Sequence, residues 1–125
     1  MMRFMVVDDS LVIRNQIQYI LGEKFKIVGS AKDGLEAMAE FRELTPEFVT
    51  MDLTMPNMDG IATIKAMMEI DPQVRILVVS ALNDKLTALR ALRLGAYGFL
   101  TKPFTTYDLI DAVEELVSDM GGDNA

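Results

Sequence analysis

The sequence predicts a single α/β domain in which a parallel β-sheet is covered by helices on both faces. Two observations support this fold. Strand-like and helix-like segments alternate five times along the 125 residues, and alternation at this spacing requires crossover connections between parallel strands. Several of the strand-like segments are continuous apolar runs, which is typical of strands buried on both faces.

The first two units show this pattern. Phe4–Val7 is a continuous apolar run, and Ser10 can cap a helix in which apolar residues recur at helical spacing. Lys26–Ala31 is the second predicted strand, and Asp33-Gly34 opens the second helix. Turn-forming residues then separate this unit from the next.

The remaining three units have the same organisation. In chain order they comprise strand Phe48–Met51 with a helix marked by Ile61, Ile64, Met67 and Met68, strand Arg75–Val79 with a helix at about Asp84–Leu94, and strand Ala96–Leu100 with a helix at Tyr107–Val117. The folded domain is predicted to span residues 1–120, and residues 121–125 are predicted to form a flexible tail.

The composition excludes several classes of function. A net charge of −7, with Lys and Arg scattered along the chain, argues against binding to nucleic acid or to an anionic membrane. The chain has no Cys and no His, so thiolate metal sites, the usual zinc ligand and the commonest general base are absent. No apolar segment approaches the about 20 residues of a membrane span. The sequence therefore predicts a cytoplasmic protein.

Polar side chains follow four of the predicted strands. Asp8 and Asp9 follow the first strand, Asp52 the third, Ser80 the fourth and Lys102 the fifth. Because the carboxyl ends of parallel strands meet at one edge of the sheet, these side chains would share a pocket. Two carboxylates about 4 Å apart repel by roughly 4 kcal/mol at an effective dielectric of about 20, and Mg²⁺ would relieve this repulsion. The joint placement predicts phosphoryl chemistry, although each residue alone is more often a helix cap or a surface side chain.

Four motifs resemble those of the receiver domains of two-component response regulators. They are Asp8-Asp9, the block Met51–Gly60 (MDLTMPNMDG), Ser80-Ala81 and the segment Gly95–Pro103 (GAYGFLTKP). Each motif is weak alone, but the four occur in order and at strand ends over about residues 3 to 118. The resemblance implies a flavodoxin-like (βα)5 fold, doubly wound, with a five-stranded parallel sheet of order 2-1-3-4-5.

The resemblance also implies the metal ligands and the phosphoryl acceptor. Asp52 would accept the phosphoryl group from the phosphohistidine of a sensor histidine kinase. Asp9 and Asp52 would bind Mg²⁺ directly, and Asp8 would act largely through water. The backbone carbonyl of Thr54 would complete the protein ligands.

Three further residues have roles implied by the resemblance. Lys102 would bridge the acids and then the phosphoryl oxygens, and Ser80 would move to hydrogen-bond the phosphoryl group. The Lys102-Pro103 peptide is expected to be cis. Phe99 occupies the switch position, where an aromatic ring responds to the state of the pocket, although an equally supported interpretation is a core aromatic residue.

Two expectations concern the lifetime of the phosphoryl group and the output surface. Thr54 and Leu82 match positions that in receiver domains tune water access and the lifetime of the acyl phosphate. Neither provides an acid or amide to orient a hydrolytic water, so the resemblance implies slow self-dephosphorylation. The output surface, through which the domain would bind its target, is expected to extend from the fourth helix through the fifth strand to the fifth helix. For each single residue of this surface, burial in the core is the alternative interpretation. Alternation would place Tyr97 and Phe99 on one strand face. The surface residues are Leu86, Arg90, Tyr97 and Tyr107.

The favoured interpretation is a monomeric, stand-alone phosphorylation switch, most similar to chemotaxis regulators, that binds a protein such as a flagellar motor protein. A phosphorelay shuttle of the same fold remains open. A Mg²⁺-dependent phosphatase with an aspartyl-phosphate nucleophile would need a second acid at the position of Thr54 and a larger cap region. A flavodoxin-like cofactor binder would need a phosphate-binding loop where the acidic Asp8 and Asp9 stand.

Overall fold

Ten elements alternate strictly between strand and helix, as the apolar patterns predict. The computed structural model describes residues 2–82 and 85–122. In chain order the elements are β1 Arg3–Val7, α1 Leu11–Leu21, β2 Lys26–Ala31, α2 Gly34–Leu44, β3 Phe48–Met51, α3 Gly60–Ile70, β4 Arg75–Ser80, α4 Lys85–Arg93, β5 Gly98–Thr101 and α5 Thr106–Gly122.

The five strands form one parallel sheet in the order β2-β1-β3-β4-β5, which confirms the predicted fold class and strand order. β1 pairs with both β2 and β3, so that Phe4 lies opposite Ile27 on one side and Phe48 on the other. The strand order therefore reverses at the boundary between β1 and β3: β1 and β2 lie on one side of it, and β3, β4 and β5 lie on the other. The loops that follow β1 and β3 lie side by side, in the position where such sheets generally carry their binding sites.

Helices cover both faces of the sheet and create two hydrophobic clusters. Successive residues of β1 point to opposite faces, with Met5 and Val7 in one cluster and Phe4 and Val6 in the other. The first cluster packs beneath α2, α3 and α4, and the second packs beneath α1 and α5. Burial on both faces explains why the inner strands β1, β3 and β4 are largely apolar, whereas the edge strand β2 is only partly buried.

The two clusters differ in composition. The cluster beneath α2, α3 and α4 is rich in methionine, whereas the described part of the cluster beneath α1 and α5 has one methionine, Met2, at its border. The methionines of the first cluster are Met5, Met38, Met51, Met55, Met58, Met67 and Met68.

β5 begins two residues later than the sequence pattern predicts. The apolar run Ala96–Leu100 predicts a strand, but the structure places β5 at Gly98–Thr101. The N–H of Ala96 donates to the carbonyl oxygen of Ala91 at 3.0 Å, and Gly95 has a φ of 115°. These residues therefore close the end of α4 instead of joining the sheet.

The last helix extends further along the chain than the apolar pattern predicts. α5 ends at Gly122, beyond the predicted end at Val117 and within the segment predicted to be a tail. The rest of that predicted tail, residues 123–125, and the predicted start of the fourth helix at Asp84 lie outside the described residues. Within the described ranges, no helix is long and apolar enough to cross a membrane.

α3 starts so close to the end of β3 that only glycine fits at its first position. Asp59 caps the helix by accepting a hydrogen bond from the N–H of Ala62 at 2.9 Å. The N–H of Gly60 donates to the carbonyl oxygen of Leu53 at 3.0 Å. A Cβ atom at Gly60 would lie 2.2 Å from the carbonyl oxygen of Asp52, so this contact fixes the backbone at the strand end.

We expect Gly60→Ala to lower the free energy of unfolding by about 2–3 kcal/mol, because the backbone would have to move apart. Gly98→Ala is the matched control, since its added Cβ would meet only the flexible end of Leu77 at 3.3 Å, and its effect should stay below about 1 kcal/mol. Urea unfolding followed by circular dichroism measures both. Equal losses in the two variants would contradict the close contact at Gly60.

Candidate functional site

Three carboxylates meet at the carboxyl edge of the sheet. Asp8 and Asp9 follow β1, Asp52 follows β3, and these two strands are hydrogen-bonded neighbours. Oxygen atoms of the three carboxylates lie within 4.8 Å of one another. Asp8 and Asp52 are only 1% and 4% exposed, whereas Asp9 is exposed. The site is therefore an acidic pocket with a buried base and an open side.

Lys102 offsets the charge of the two buried carboxylates. Its Nζ lies 2.6 Å from Oδ2 of Asp8 and 3.6 Å from Oδ1 of Asp52. The backbone N–H of Lys102 donates to the carbonyl oxygen of Ser80 at 2.8 Å, so the end of β5 is joined to the end of β4 beside the pocket. The Lys102-Pro103 peptide is cis, which confirms that expectation.

Asp8 is held by several donors. Oδ2 accepts the hydrogen bond from Lys102, and Oδ1 accepts one from the N–H of Ser10 at 2.9 Å. Arg14 Nη1 donates to the backbone carbonyl oxygen of Asp8 at 2.7 Å. Because both carboxylate oxygens of Asp8 already have protein donors, Asp9 and Asp52 are better suited to direct metal ligation.

The environment of Asp52 disfavours its ionised form. Burial, followed by the negative charge of Asp8, raises the pKa of the Asp52 carboxyl to about 6, against the opposing charge of Lys102. The N–H of Thr54 also lowers this pKa, but it lies 3.5 Å from Oδ1 and is a weak donor. One pKa unit corresponds to about 1.4 kcal/mol. An ionised Asp52 at neutral pH therefore lowers the stability of the metal-free protein.

The donor set fits Mg²⁺. Two buried carboxylates and one exposed carboxylate within a few ångströms of one another provide hard oxygen ligands, and the open side leaves room for the waters that Mg²⁺ retains. Asp9, Asp52 and the backbone carbonyl of Thr54 are the groups that would hold the ion. A bound cation would also offset the repulsion that raises the pKa of Asp52.

Ser80 and Phe99 lie on the neighbouring strands β4 and β5. Ser80 is fully buried, and its Oγ accepts a hydrogen bond from the N–H of Leu82 at 3.1 Å. Phe99 pairs with Val78 across the β4–β5 ladder and is half-buried against the methionine-rich cluster. A movement of Ser80 would therefore alter its hydrogen bond with Leu82 and its pairing with Thr101, on the strand that carries Phe99.

The four residues predicted for the partner surface lie outside the pocket and are exposed to solvent. The ring of Tyr97 lies 4.8 Å from the guanidinium carbon of Arg75, whereas Phe99 packs against the cluster beneath α2, α3 and α4. Tyr97 precedes β5, but both aromatic residues line one cavity with Leu77, Ala112 and Leu116, so the shared face that alternation predicts stays a prediction. The exposed residues are Leu86, Arg90, Tyr97 and Tyr107.

Two further residues join the loops after β2 and β3, and sequence reasoning does not predict their contact. Asp33, after β2, accepts a hydrogen bond from Nδ2 of Asn57 at 2.9 Å, although the two residues are 24 positions apart. The sequence marks Asp33 as the start of a helix and Asn57 as a loop residue, and no local pattern indicates that they meet. Their contact is therefore visible only in the structure.

This chain is similar to a known protein family and to individual proteins of known function. The family model for the response regulator receiver domain matches residues 4–114. The chemotaxis protein CheY of Thermotoga maritima is 36% identical over 115 residues, which cover 91% of this chain and 96% of that protein. A protein-glutamate methylesterase/protein-glutamine glutaminase of Methanococcoides burtonii is 40% identical over 122 residues, which cover 94% of this chain but only 34% of that protein.

A solved structure with a similar fold includes both a metal and a fluoride complex. A chain in the crystal structure of the CheX-CheY-BeF3-Mg²⁺ complex of Borrelia burgdorferi superimposes with a TM-score of 0.89 and 32% identity. The match covers 92% of this chain and 88% of that chain.

We expect Asp52→Asn to raise the free energy of unfolding of the metal-free protein by about 1–3 kcal/mol at about pH 7.5. The pKa of Asp52 is about 6 in the folded protein against an ordinary 3.8, so the ionisation of Asp52 increasingly penalises folding as the pH rises from about 4 to about 6, and the penalty is complete above that range. The gain should shrink as the pH falls and vanish near about pH 4. Urea unfolding in EDTA across this range measures it.

Asp111→Asn is the control for this experiment, because it removes the same charge from an exposed position on α5. Its effect should be small and nearly independent of pH. Mg²⁺ should stabilise the wild type more than Asp52→Asn, since binding to the folded state adds to its stability. An Asp52→Asn variant that is less stable than the wild type in EDTA at about pH 7.5 would contradict the assigned electrostatics.

Proposed function

The chain belongs to the response-regulator receiver family, and from that membership we propose that it is a phosphorylation-activated signalling switch. Asp52 accepts a phosphoryl group from the phosphohistidine of a sensor histidine kinase, with Mg²⁺ as the cofactor. The surface formed by α4, β5 and α5 then binds a downstream protein. The observation that supports this most strongly is the ammonium of Lys102 between the buried carboxylates of Asp8 and Asp52.

The transfer is a displacement at phosphorus. A carboxylate oxygen of Asp52 forms the new P–O bond while the P–N bond of phosphohistidine breaks, and the bonding electron pair leaves with the imidazole nitrogen. The imidazole departs neutral, because its other nitrogen carries a proton. A pKa of about 6 leaves most of Asp52 ionised and nucleophilic at neutral pH. Mg²⁺ bound at the acidic pocket would supply positive charge to the transferred phosphoryl oxygens.

The acyl phosphate creates new acceptors in the pocket. Lys102 Nζ, already 3.6 Å from Asp52, donates to a phosphoryl oxygen, and the hydroxyl of Ser80 donates to another. Turning the Ser80 hydroxyl breaks its contact with the N–H of Leu82 and moves the loop that leads into α4. A shift from 1:99 to 99:1 between two states takes about 5.5 kcal/mol, which several charge-assisted hydrogen bonds supply together.

The exposed outer face of α4, together with Leu82, supports the binding of a protein target. Ala91 is the one fully buried side chain of α4, and the residues on the opposite side combine leucines with cations in a chain of net charge −7. This face suits an acidic, partly apolar segment of a target such as a flagellar motor protein. Its exposed residues are Leu82, Lys85, Leu86, Leu89, Arg90, Leu92 and Arg93.

We propose that the protein acts as a monomer in the cytoplasm. It would catalyse only its own phosphoryl transfer and slow dephosphorylation. The match to the methylesterase covers 34% of that protein, so the activity of that relative is not inferred for this chain. The acidic composition also disfavours direct contact with nucleic acid.

We expect acetyl phosphate with Mg²⁺ to load one phosphoryl group per chain, and Asp52→Asn to abolish the loading. Lys102→Met should slow it by about 100-fold, because the transition state loses a charged donor. Asp111→Asn should load at the wild-type rate. Intact-mass spectrometry over time measures all four proteins. A phosphoryl group on another residue, or steady turnover of the phosphate donor by the Asp52→Asn variant, would contradict the proposal.

We expect the acyl phosphate to persist for minutes or longer in Mg²⁺, because Thr54 provides no acid or amide to orient a water molecule. Thr54→Asn should shorten the half-life by about tenfold by adding an amide there. Thr54→Val, which adds no polar group, should leave it within about twofold. Loss of protein-bound phosphoryl is measured after removal of the donor. A wild-type half-life of seconds would disprove slow self-dephosphorylation.

A further inference from the structure

The loop between β3 and α3, residues 52–59, is attached to the loop that follows β2. Asn57 Nδ2 donates a hydrogen bond to Oδ2 of Asp33 at 2.9 Å. Beside it, the N–H of Gly34 donates to the carbonyl oxygen of Met58 at 3.1 Å. A Cβ atom at Gly34 would lie 2.5 Å from that oxygen. The two loops are therefore in direct contact through one side-chain pair and one backbone pair.

Asp33 is a buried anchor for this contact. Its side chain accepts two hydrogen bonds, one from the N–H of Glu36 at 2.8 Å, which caps α2, and one from Asn57. The residue is only 6% exposed. Both hydrogen bonds favour the ionised carboxylate, so the bond from Asn57 is charge-assisted and stronger than a neutral one.

Asn57 contributes its backbone as well as its side chain. Its φ of 68° lies in the left-handed region, which asparagine adopts more readily than most residues. Within the same loop, Met58 donates to the carbonyl oxygen of Pro56 and Gly60 donates to that of Leu53. These backbone bonds are local, whereas the side-chain bond to Asp33 and the backbone bond from Gly34 to Met58 attach the loop to the segment that follows β2.

We propose that Asp33 and Asn57 are positioning residues that place the Asp52 carboxylate and the Thr54 carbonyl for cation binding and phosphoryl transfer. The inference rests on the proposed function of Asp52. The hydrogen-bonded pair, which we call the Asp33–Asn57 clamp, touches neither the cation nor the phosphoryl group. Outer residues that orient ligands of a metal ion typically change affinity by about 10- to 100-fold when replaced.

The first test is Asn57→Asp, which places two carboxylates next to each other and removes the hydrogen bond of the Asp33–Asn57 clamp. Its added negative charge near the pocket would strengthen Mg²⁺ binding if charge alone mattered. Loss of the clamp predicts the opposite sign, with Mg²⁺ affinity reduced about tenfold and loading from acetyl phosphate reduced about as much. Calorimetric titration with Mg²⁺ alone gives the affinity. An affinity equal to or higher than that of the wild type overturns the inference.

The second test is the exchanged pair Asp33→Asn with Asn57→Asp. It restores the net charge of the wild type and keeps one amide and one carboxylate in contact, and Asn can still cap α2. Mg²⁺ affinity, the loading rate and the amide NMR shift of Thr54 should return close to the wild-type values, within about threefold for the affinity and the rate. A double variant no better than Asn57→Asp contradicts the clamp.

Asp59→Ala is the matched structural control. It removes the cap of α3 from the same loop and should lower the unfolding midpoint while leaving Mg²⁺ affinity within about threefold. An equal loss of affinity in this variant would show that general loop destabilisation explains the effect and would overturn the clamp. A wild type that binds no Mg²⁺ and accepts no phosphoryl group would instead refute the proposed function itself.

Discussion

The structure depends on keeping two carboxylates buried next to each other at the ends of β1 and β3. Asp8 and Asp52 are both almost inaccessible to water, and like charges at this separation raise the free energy of the folded state. Lys102, 50 residues after Asp52 in the chain, partly compensates for this cost. The compensation is incomplete, as the raised pKa of Asp52 shows. The pocket therefore keeps a surplus of negative charge, which a bound cation would offset.

The sheet provides the rigidity that this arrangement needs. Direct pairing of β1 with β3 fixes the distance between the two strand ends. Contacts from other elements then fix the backbone at the end of each of these strands. Arg14 holds the carbonyl of Asp8, and Gly60 approaches the carbonyl of Asp52 more closely than a side chain would allow. The pocket is thus held by contacts from α1, α3 and β5, so that stability and site geometry are linked.

Much of the fold and the composition of the pocket follow from local sequence patterns. Apolar periodicity predicts the elements, and the position of Asp52 and Lys102 at strand ends predicts that they meet, because all strands are parallel. The pairing of Asp33 with Asn57 does not follow, since it depends on the path of two loops that local propensities leave undetermined. The predicted start of β5 is wrong because Ala96 belongs to the apolar run by its side chain but not to the sheet. Its backbone N–H donates to the carbonyl oxygen of Ala91 at the end of α4.

The methionine-rich cluster gives the two faces of the domain different mechanical properties. Methionine is unbranched and has three rotatable bonds, so it can refill the space left by a moving neighbour with little change in packing energy. Branched and aromatic side chains, such as those beneath α1 and α5, have fewer alternative rotamers. The face that carries α4 and borders Phe99 can therefore repack at low cost while the opposite face retains its shape. The asymmetry of the core would in this way direct a local chemical change towards one surface of the molecule.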